Sequence, residues 1–473
     1  MPPMEAVIDS PHLQIERASQ AAHEWSVSGA EVRARLLKGL ADGLDEQREP
    51  LVALAHQETH LGLPRLNGEL DRTCFQLSAF AQHVASGAVF ACEEDDAIPL
   101  PPPHGRPRMV RARVPVGPVA MFSASNFPFA FSVLGGDTAA ALAAGCPVVV
   151  RAHPAHPLLS RAVFQVAQDV LQQQLLAPGL IALVEGESIQ IGVDLVQHPA
   201  IKAVAFTGST RGGLALEAIA SQRKPPIPFY GELGSVNPVV MVPGALRGRV
   251  DELAGQIAGS IVLGMGQFCT RPGIVAMVND EDARHFITAV AAHLAKAPLH
   301  PMLTPGISNS FIAATRSLAA QPGVRVISAP EGRNPAPFLA VVDATTFLDQ
   351  QELRDEIFGP ALMVVMCETQ DELPAVMNAV AGSLAVTLWG ADAETPFTRR
   401  LVSEATRAAG RVLFEGVPTG VSVTRAQHHG GPWPSSTQPA TTSVGLHACD
   451  RFLRPVVYQS APHWVASRGG RPV

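Results

Sequence analysis

The sequence feature that most constrains the fold is a regular alternation of short apolar strands with helices between residues 116 and 242. Apolar runs predict strands at residues 119–123, 147–151, 180–184, 203–206 and 238–242, and helical periodicity predicts helices at 133–144, 160–176 and 192–197. This alternation indicates βαβ units that form a parallel sheet with helices on both faces. In doubly wound sheets, ligands bind at the carboxyl ends of the strands. We therefore predict an α/β fold with a ligand site at that edge.

A second α/β region is predicted after residue 250. A helix at 250–263 precedes predicted strands at 273–278, 324–328, 339–342 and 361–366. Two shorter segments lie apart from these units: residues 109–116 alternate polar and apolar side chains, and residues 452–458 form a short terminal strand. Exposed strand edges are usually covered in proteins. We therefore expect the unpaired edges of both segments to be covered by another copy of the chain.

Composition and charge limit the classes of partner. The chain has 42 acidic and 35 basic residues, a formal net charge of −7 and no long run of like charge, which argues against nucleic acid or an anionic membrane as partner. No apolar run approaches the roughly 18 residues of a membrane span, and the first residues lack a signal-peptide pattern. The six cysteines are widely spaced, without a CxxC pair or a Cys/His set at zinc spacing, so neither disulfides nor a metal site are predicted. We expect a cytoplasmic protein that acts on a small molecule.

Cys269 is the candidate nucleophile. It lies in the glycine-rich stretch from Gly264 to Pro272, after the helix predicted at 250–263. Gly264 and Gly266 allow the backbone to approach closely, so that a substrate carbonyl could reach the sulfur with little steric hindrance. The alternative, which is the commoner role of a single cysteine, is a small buried apolar side chain. The surrounding motifs have to decide between the two.

Three further segments carry weak signals when each is taken alone. Residues 207–210, Thr-Gly-Ser-Thr, follow a strand and open a helix, where a pyrophosphate could bind; the GxGxxG pattern is absent, and such a turn equally suits packing. Glu232 lies between two apolar segments, where a carboxylate is costly unless it is solvated or used. Glu356 precedes the strand at 361–366 and could equally be a solvated loop carboxylate.

Five motifs together resemble the aldehyde dehydrogenase superfamily, in its order and over nearly the whole chain. They are Ser-Asn-Phe-Pro-Phe at 125–129, Phe-Thr-Gly-Ser at 206–209, Glu-Leu-Gly-Ser at 232–235, Gly-Gln-Phe-Cys at 266–269 and Glu-Ile-Phe-Gly-Pro at 356–360. Within the superfamily, the stretches at 148–157, 416–420 and 429–434 are most similar to 2-oxoglutarate semialdehyde dehydrogenases. The resemblance implies NAD(P)-dependent oxidation of an aldehyde to a carboxylic acid.

The resemblance also implies a role for each catalytic residue. Cys269 would attack the aldehyde carbon to give a thiohemiacetal, and the side chain of Asn126, with the main-chain N–H of Cys269, would stabilise the oxyanion. Glu232 would act as general base for hydrolysis of the thioester that follows. By itself Asn126 suits a turn or a helix cap equally well. The presence of Glu232 separates this chain from acylating relatives, which lack that base, and from a non-catalytic protein on the same scaffold.

Cofactor contacts follow from the same resemblance. Gly208 and Ser209 would face the phosphates, Glu356 would hold the nicotinamide ribose, and Phe358 would lie near the ring. Most members have Lys-Pro-x-Glu after the second strand, where this chain has Arg-Ala-His-Pro at 151–154. Without that carboxylate, and with Arg151 and a protonated His153 available for a 2′-phosphate, we expect NADP to be preferred and NAD to remain possible. The alternative is that Arg151 merely caps the strand.

The substrate is predicted from the same resemblance, with one alternative. A 2-oxo acid semialdehyde needs a cation for its carboxylate, and the candidates are Arg271, Arg425 and His428, although each could instead be a surface residue. A long-chain aldehyde is the alternative, because Phe127 and Phe131 could line an apolar tunnel.

Domain organisation and assembly are also implied by the family. We expect a dinucleotide-binding domain at residues 1–105 and 118–231, a catalytic domain at 232–432, and a small β oligomerisation arm at 106–117 and 433–473. The expected assembly is a homodimer or a homotetramer, with the arm at the interface.

Overall fold

The computed structural model describes residues 10–332 and 334–466. The first nine residues of the predicted dinucleotide-binding domain and residues 467–473 of the predicted arm lie outside the described residues. Within the described ranges, no helix combines the length and the apolar character that crossing a membrane requires.

The secondary structure consists of helices and strands that alternate over most of the chain. The helices are α1 Pro11–Val27, α2 Ala30–Glu46, α3 Arg48–Thr59, α4 Leu63–Ala85, α5 Gly136–Ala143, α6 Pro157–Gln173, α7 Ile189–Gln197, α8 Thr210–Gln222, α9 Val250–Val262, α10 Glu281–Leu294, α11 Pro305–Ala319, α12 Ala344–Asp349, α13 Leu373–Ala379, α14 Pro396–Ala408 and α15 His463–Ala466. The strands are β1 Glu93–Asp95, β2 Met109–Pro115, β3 Val119–Phe122, β4 Val148–Arg151, β5 Ile181–Val184, β6 Ala203–Thr207, β7 Phe229–Glu232, β8 Val239–Met241, β9 Ile274–Val278, β10 Arg325–Ser328, β11 Phe338–Asp343, β12 Ala361–Cys367, β13 Ser383–Trp389, β14 Ala409–Leu413 and β15 Leu453–Gln459.

The first large sheet has the strand order β5-β4-β3-β6-β7, and its neighbouring strands are all parallel. Every residue of β3, β4 and β5 is buried, which explains why these strands read as continuous apolar runs. The chain adds β4 and β5 on one side of β3, and then crosses to add β6 and β7 on the other. The carboxyl ends of β3 and β6 therefore meet at a topological switch point, the usual place for a ligand in such sheets.

The cores of this region lie on both faces of the sheet. One face packs against α2, α4, α5 and α6, with side chains such as Leu36 and Leu40 fully buried. The other face packs against α1, α7 and α8. Each fully buried leucine contributes on the order of 1.5–3 kcal/mol. The prediction of a doubly wound parallel sheet is confirmed.

The second large sheet has the order β10-β11-β12-β9-β8-β13-β14, in which only β10 pairs antiparallel. The strands predicted in this region are confirmed, with ends that differ by one or two residues. Strands β13 and β14 were not predicted. β13 is buried along its whole length, so the sheet extends further than the sequence analysis indicates.

The third sheet has three strands in the order β1-β2-β15. β2 pairs antiparallel with β1 on one side and with β15 on the other. The expectation that residues 109–116 and 452–458 keep unpaired edges is therefore wrong for β2, because the two segments form hydrogen bonds with each other. The outer edge of β15 remains, and beside it Val457 is 53% exposed.

Candidate active site

The predicted catalytic residues converge on one cleft of about 970 Å³ at the switch point of the five-stranded sheet. Asn126 follows β3, Glu232 ends β7, and Cys269 follows α9 after a short turn. The cleft also contains most of the residues predicted to bind the cofactor. Its walls include Asn126, His153, Gly208, Ser209, Glu232, Cys269, Glu356 and Phe358.

The turn that carries Cys269 has an unusual backbone. Gly264, Met265 and Gly266 are all left-handed, with φ of 55°, 55° and 66°. A Cβ atom at Gly266 would lie 2.4 Å from the main-chain carbonyl group of Gly359, so only glycine fits there. The side-chain amide of Asn237 then donates hydrogen bonds to the carbonyls of Cys269 (2.8 Å) and Arg271 (3.0 Å). These contacts fix the backbone on both sides of the nucleophile.

The environment of the Cys269 thiol opposes ionisation. Burial raises the pKa of this thiol well above its ordinary value, and the negative charge of Glu232 raises it further, while the positive charge of Arg72 lowers it. The sulfur lies 3.6 Å from Nε2 of His429. In the resting site the thiol therefore keeps its proton, and attack requires an acceptor for it.

Glu232 and His429 form a buried pair beside the sulfur. Nε2 of His429 lies 2.9 Å from Oε1 of Glu232, and the hydroxyl of Ser443 donates to Oε2 at 2.6 Å. A carboxylate only accepts hydrogen bonds, so Nε2 carries the proton in this pair. Burial acts to raise the pKa of Glu232, but His429 and Ser443 outweigh it and leave that pKa below its ordinary value. Glu232 is consequently ionised at neutral pH.

His429 is a site residue that the sequence analysis missed. It is 2% exposed and lies 160 residues from Cys269 and 197 from Glu232 along the chain. Potential metal ligand atoms of Glu232, Cys269 and His429 lie within 4.8 Å of one another, although their sequence spacing gives no sign of it. The only available signal was the position of His429 at the start of the 429–434 motif.

Asn126 lies against the nucleophile turn. Its side-chain amide donates to the carbonyl of Gln267 at 2.8 Å, and Nη2 of Arg65 donates to the carbonyl of Asn126 at 2.6 Å. A side-chain amide has two N–H groups, so one remains for another acceptor. Among the described residues, the main-chain N–H of Cys269 has no internal hydrogen-bond partner.

The nucleotide end of the cleft is formed by main chain and small residues. Ser209 caps α8, and its hydroxyl accepts from the N–H of Gly212 at 3.3 Å. A Cβ atom at Gly234 would lie 2.4 Å from Oε2 of Glu356, so this glycine makes room for the carboxylate. Burial raises the pKa of Glu356 to about 7, although Arg271 acts against the shift. The charge of Glu356 therefore changes near neutral pH.

Arg151 and His153 differ from the roles that were expected for them. The buried Arg151 guanidinium donates to the carbonyls of Ala152, at 2.7 Å, and of Gly186. His153 lines the cleft, but burial, with His156 and Arg151 nearby, lowers its pKa to about 3. Near neutral pH the His153 ring is therefore uncharged when no phosphate is present, which does not support the expected contact through a protonated ring.

The predicted substrate residues separate into two groups. Phe127 and Phe131 lie together, with ring centroids 5.3 Å apart, and Phe127 meets Phe268, the residue before Cys269, edge-on at 5.2 Å. Arg271 does not face a substrate: it is 3% exposed and donates to the carbonyls of Pro272, Ile357 and Ala361. Its use as a carboxylate anchor is contradicted, because main-chain acceptors already occupy the guanidinium.

The other two candidate anchors also lack the properties of an anchor. Arg425 is exposed to solvent. His428 is partly buried, and burial together with His429 lowers its pKa, so it carries little positive charge at neutral pH. Like Phe127 and Phe131, neither residue is among those that line the cleft, so the exposure of Arg425 and the weak charge of His428 are what argue against them.

Comparison with known proteins identifies close similarities over the whole fold. The sequence profile of the aldehyde dehydrogenase family matches residues 12–449. The alpha-ketoglutaric semialdehyde dehydrogenase 2 of Azospirillum brasilense is 43% identical over 456 residues, 95% of this chain and 87% of that protein. The alpha-ketoglutaric semialdehyde dehydrogenase of Acinetobacter baylyi is 37% identical over 94% of this chain and 86% of that protein. The crystal structure of a betaine aldehyde dehydrogenase from Staphylococcus aureus superposes with a TM-score of 0.80 at 20% identity, covering 96% of this chain and 89% of that one.

Proposed function

The chain belongs to the aldehyde dehydrogenase family, oxidoreductases that act on small aldehydes with NAD(P), and from this premise we propose that it oxidises 2-oxoglutarate semialdehyde to 2-oxoglutarate. The observation that carries the reaction type is the convergence of Cys269, Glu232 and His429 at the switch point of the sheet. The substrate is supported by the 43% identity to a relative of that name over 95% of the chain.

The first step is attack of the Cys269 sulfur on the aldehyde carbon. Glu232 accepts the thiol proton as the sulfur attacks, because it is ionised and its carboxylate interacts with that thiol. The Nε2–H of His429, between the carboxylate and the sulfur, stabilises negative charge on either group. The free N–H of the Asn126 amide and the main-chain N–H of Cys269 stabilise the oxyanion of the thiohemiacetal.

The residues at the nucleotide end fit a dinucleotide. Gly208 and Ser209 open α8, where N–H groups and the helix dipole favour phosphate, and Gly234 leaves space beside the Glu356 carboxylate for ribose hydroxyls. When bound, NAD(P) supplies the acceptor for the hydrogen that leaves the thiohemiacetal carbon. Before the last step Glu232 passes the thiol proton to solvent. Held by His429 and Ser443, Glu232 then takes a proton from the water that attacks the Cys269 thioester and returns it to the departing sulfur.

Two substitutions test these roles. We expect Cys269→Ala to lower kcat by at least about a thousandfold, because no other group forms the thioester. Glu232→Gln removes both the acceptor for the thiol proton and the base for water, so a stopped-flow experiment should show a burst of reduced cofactor that is slower than in the wild type, followed by a still slower steady state. Cys74→Ala is the matched control, since Cys74 is also partly buried but packs near α2, far from the cleft. Near-normal turnover by Cys269→Ala would refute the assignment.

The substrate is tested by steady-state kinetics with three aldehydes. We expect kcat/KM to be highest for 2-oxoglutarate semialdehyde, lower for succinate semialdehyde and lowest for a fatty aldehyde. The second candidate is a long-chain aldehyde, which the aromatic group of Phe127, Phe131 and Phe268 favours. A higher kcat/KM for the fatty aldehyde would reverse the order of the two proposals.

For the cofactor, we propose that NADP is used better than NAD. No acidic residue occurs between Arg151 and Gln168, so the family's carboxylate after β4 is missing, and the acid whose charge acts on Arg151 is Glu185, which itself pairs with Arg161. Arg151 ends β4, but its guanidinium already donates to two carbonyls. We therefore expect a modest preference, about threefold to tenfold in kcat/KM.

The division of labour among the three sheets is also a proposal. The five-stranded sheet would bind the cofactor, the seven-stranded sheet would carry the nucleophile, and the three-stranded sheet would join copies of the chain. The proposed boundary at residue 433 does not separate the arm from the active site. Ser436 forms an isolated β-bridge with Glu232, and the Ser443 hydroxyl donates a hydrogen bond to the Glu232 carboxylate, so residues of the arm also form part of the active site. The open edge of β15, with Val457 exposed, supports a homodimer or homotetramer. A monomeric mass by light scattering at micromolar concentration would contradict it.

A further inference from the structure

One face of α4 carries charged side chains toward the nucleophile. Arg65, Glu69 and Arg72 are spaced by four and three residues, so they lie on the same side of the helix. The Arg65 guanidinium lies over the rings of Phe268 (4.5 Å) and Phe127 (5.2 Å). These two rings belong to the aromatic group of Phe127, Phe131 and Phe268, and Phe268 is the residue before Cys269.

Arg72 lies at the other end of this face, over the ring of Phe131 at 5.5 Å. Its Nε and Nη2 are buried without a hydrogen-bond acceptor among the described residues. Nε–H and the adjacent Nη2–H point in nearly parallel directions and match the two oxygens of a carboxylate. Arg72 is also close enough that its charge favours ionisation of Cys269 and Glu232. Arg72 is therefore a cation near the nucleophile whose hydrogen-bonding capacity is unused.

The neighbouring charges do not use this capacity. Glu69 accepts from the main-chain N–H groups of Phe129 and Ala130 and approaches Arg65, at 3.9 Å, rather than Arg72. Arg411, which also faces Cys269 electrostatically, donates to the carbonyls of Pro418 and Gly420. On this face of α4, two guanidinium groups accompany one carboxyl, and the ionised Glu232 is a further negative charge that acts on Arg72. None of these groups accepts from Nε or Nη2 of Arg72, and buried donors that stay unpaired are costly unless an acceptor joins them.

We propose that Arg72 binds the carboxylate of the substrate while Cys269 attacks the aldehyde at the opposite end of the carbon chain. The class of substrate is then an aldehyde with a remote carboxylate, and this rests on the proposed function. Phe131 and Phe127 contact the carbon chain between the two ends. Arg65 is a positioning residue, because its Nη2 holds the carbonyl of Asn126. Arg72 takes the role that the sequence analysis gave to Arg271, Arg425 or His428.

The first experiment compares carboxylated and neutral aldehydes in Arg72→Gln. With 2-oxoglutarate semialdehyde we expect kcat/KM to fall about thirtyfold to a hundredfold, mainly through KM, because a charge-assisted bidentate pair is lost. With pentanal, which has the same number of carbons and no carboxylate, only the effect of the Arg72 charge on the Cys269 thiol is lost, so the fall in kcat/KM should be at least about tenfold smaller. Arg72→Lys should recover part of the activity, since it keeps the charge without the planar fork. An equal fall for both aldehydes would overturn the proposal and place Arg72 with the thiolate instead.

The second experiment does not depend on turnover. Alkylation of Cys269 by iodoacetamide is measured with glutarate or butyramide present, in the wild type and in Arg72→Gln. Glutarate should protect the wild type and lose about thirtyfold of its apparent affinity in the variant, while butyramide should behave alike in both. If glutarate protects both proteins equally, Arg72 is not the anchor. A third outcome is that the wild type oxidises no carboxylated aldehyde, but glutarate protects the wild type and not Arg72→Gln. In that case the proposed substrate is wrong and the anion site at Arg72 is retained.

Arg48→Gln is the matched control. Arg48 bonds to Asp71, the residue before Arg72, on the solvent side of the same helix. Its substitution removes one positive charge near α4 without touching the cleft. In Arg48→Gln, kcat/KM for 2-oxoglutarate semialdehyde, kcat/KM for pentanal and protection by glutarate should all remain at wild-type values. The melting temperatures of all variants should be compared to exclude unfolding.

Discussion

The two sides of Cys269 are built from different parts of the polypeptide. On the nucleotide side, the walls are mainly main chain and small residues such as Gly208, Ser209 and Gly234. On the proposed substrate side, the aromatic rings of Phe127, Phe131 and Phe268 pack together under the charged residues of α4, next to the residue that precedes Cys269. The first side needs room for backbone to approach a ligand, and the second needs particular side chains to meet across the fold.

This difference determines how each side tolerates change. Where main chain forms the wall, replacing a glycine by any other residue places a Cβ atom in the space of the ligand or of a neighbouring group and weakens binding. A side-chain wall fails when a charge or a ring is lost, and the loss affects only the ligands that use it. Substitution of His429, which lies between the two sides, and then of residues on each side should separate the two kinds of wall.

The largest effect is expected for His429→Ala. This change removes a charge-assisted hydrogen bond from Glu232 and a donor from the sulfur, so kcat should fall about a hundredfold with every aldehyde. Losing His429 also raises the pKa of Glu232, so the activity that depends on ionised Glu232 should be lost at a higher pH as pH falls. The measurement is a pH profile of kcat. His447→Ala, at an exposed histidine that pairs with Asp450, is the control.

Gly234→Ala should harm the nucleotide side alone. The new Cβ would lie 2.4 Å from Oε2 of Glu356 and 3.0 Å from the Thr210 hydroxyl. We expect KM for the cofactor to rise about tenfold to thirtyfold, with a smaller change in aldehyde KM. Gly68→Ala on α4, where no atom lies within 4 Å of the new Cβ, should leave both constants unchanged. A larger effect on KM for the aldehyde than on KM for the cofactor would contradict the assignment of Gly234 to the nucleotide side.

Glu356 gives the nucleotide side a dependence on pH. Its pKa is raised to about 7, so the carboxylate proposed to accept ribose hydroxyls becomes protonated as pH falls below neutrality. KM for the cofactor should therefore fall about fivefold between mildly acidic and mildly basic pH. The same measurement on Glu356→Gln should give a flat profile, and a slope that persists there would assign the titration to another group.

Arg151→Ala is expected to have the smallest effect. It should raise KM for NADP about threefold more than KM for NAD, since only part of the guanidinium is free to meet a 2′-phosphate. Arg223→Ala is the matched control, because Arg223 also donates to two carbonyls, those of Val196 and Ile201. Equal or better use of NAD by the wild type would sink the proposed preference and leave the catalytic residues unaffected.

The same contrast explains what could be predicted from the sequence. Strands β3 to β6 were predicted because each is a mostly apolar run that is buried over at least its first three residues, and Gly208, Ser209, Cys269 and Glu232 lie in short motifs with local constraints. β13 and β14 escaped prediction in a part of the chain where no motif drew attention.

Side chains that meet only in three dimensions were not predicted. His429 reaches Glu232 across 197 residues, and Arg72 belongs to a helix whose periodicity predicts only packing. Arg271 was misassigned because nearness to Cys269 in sequence says nothing about direction: its guanidinium points into the carbonyls of the seven-stranded sheet and its loops. Burial likewise lowers the pKa of His153, so its ring lacks the expected positive charge near neutral pH.

The contact between Gly266 and Gly359 has a consequence for engineering. The turn that carries the nucleophile touches, main chain against main chain, the loop that carries Glu356 and Phe358. A segment of another enzyme grafted at 264–272 would have to match a partner surface almost 90 residues further along the chain. Recombination that takes the two segments from different parents therefore disrupts this close main-chain contact. Chimeras should be designed to exchange both segments or neither.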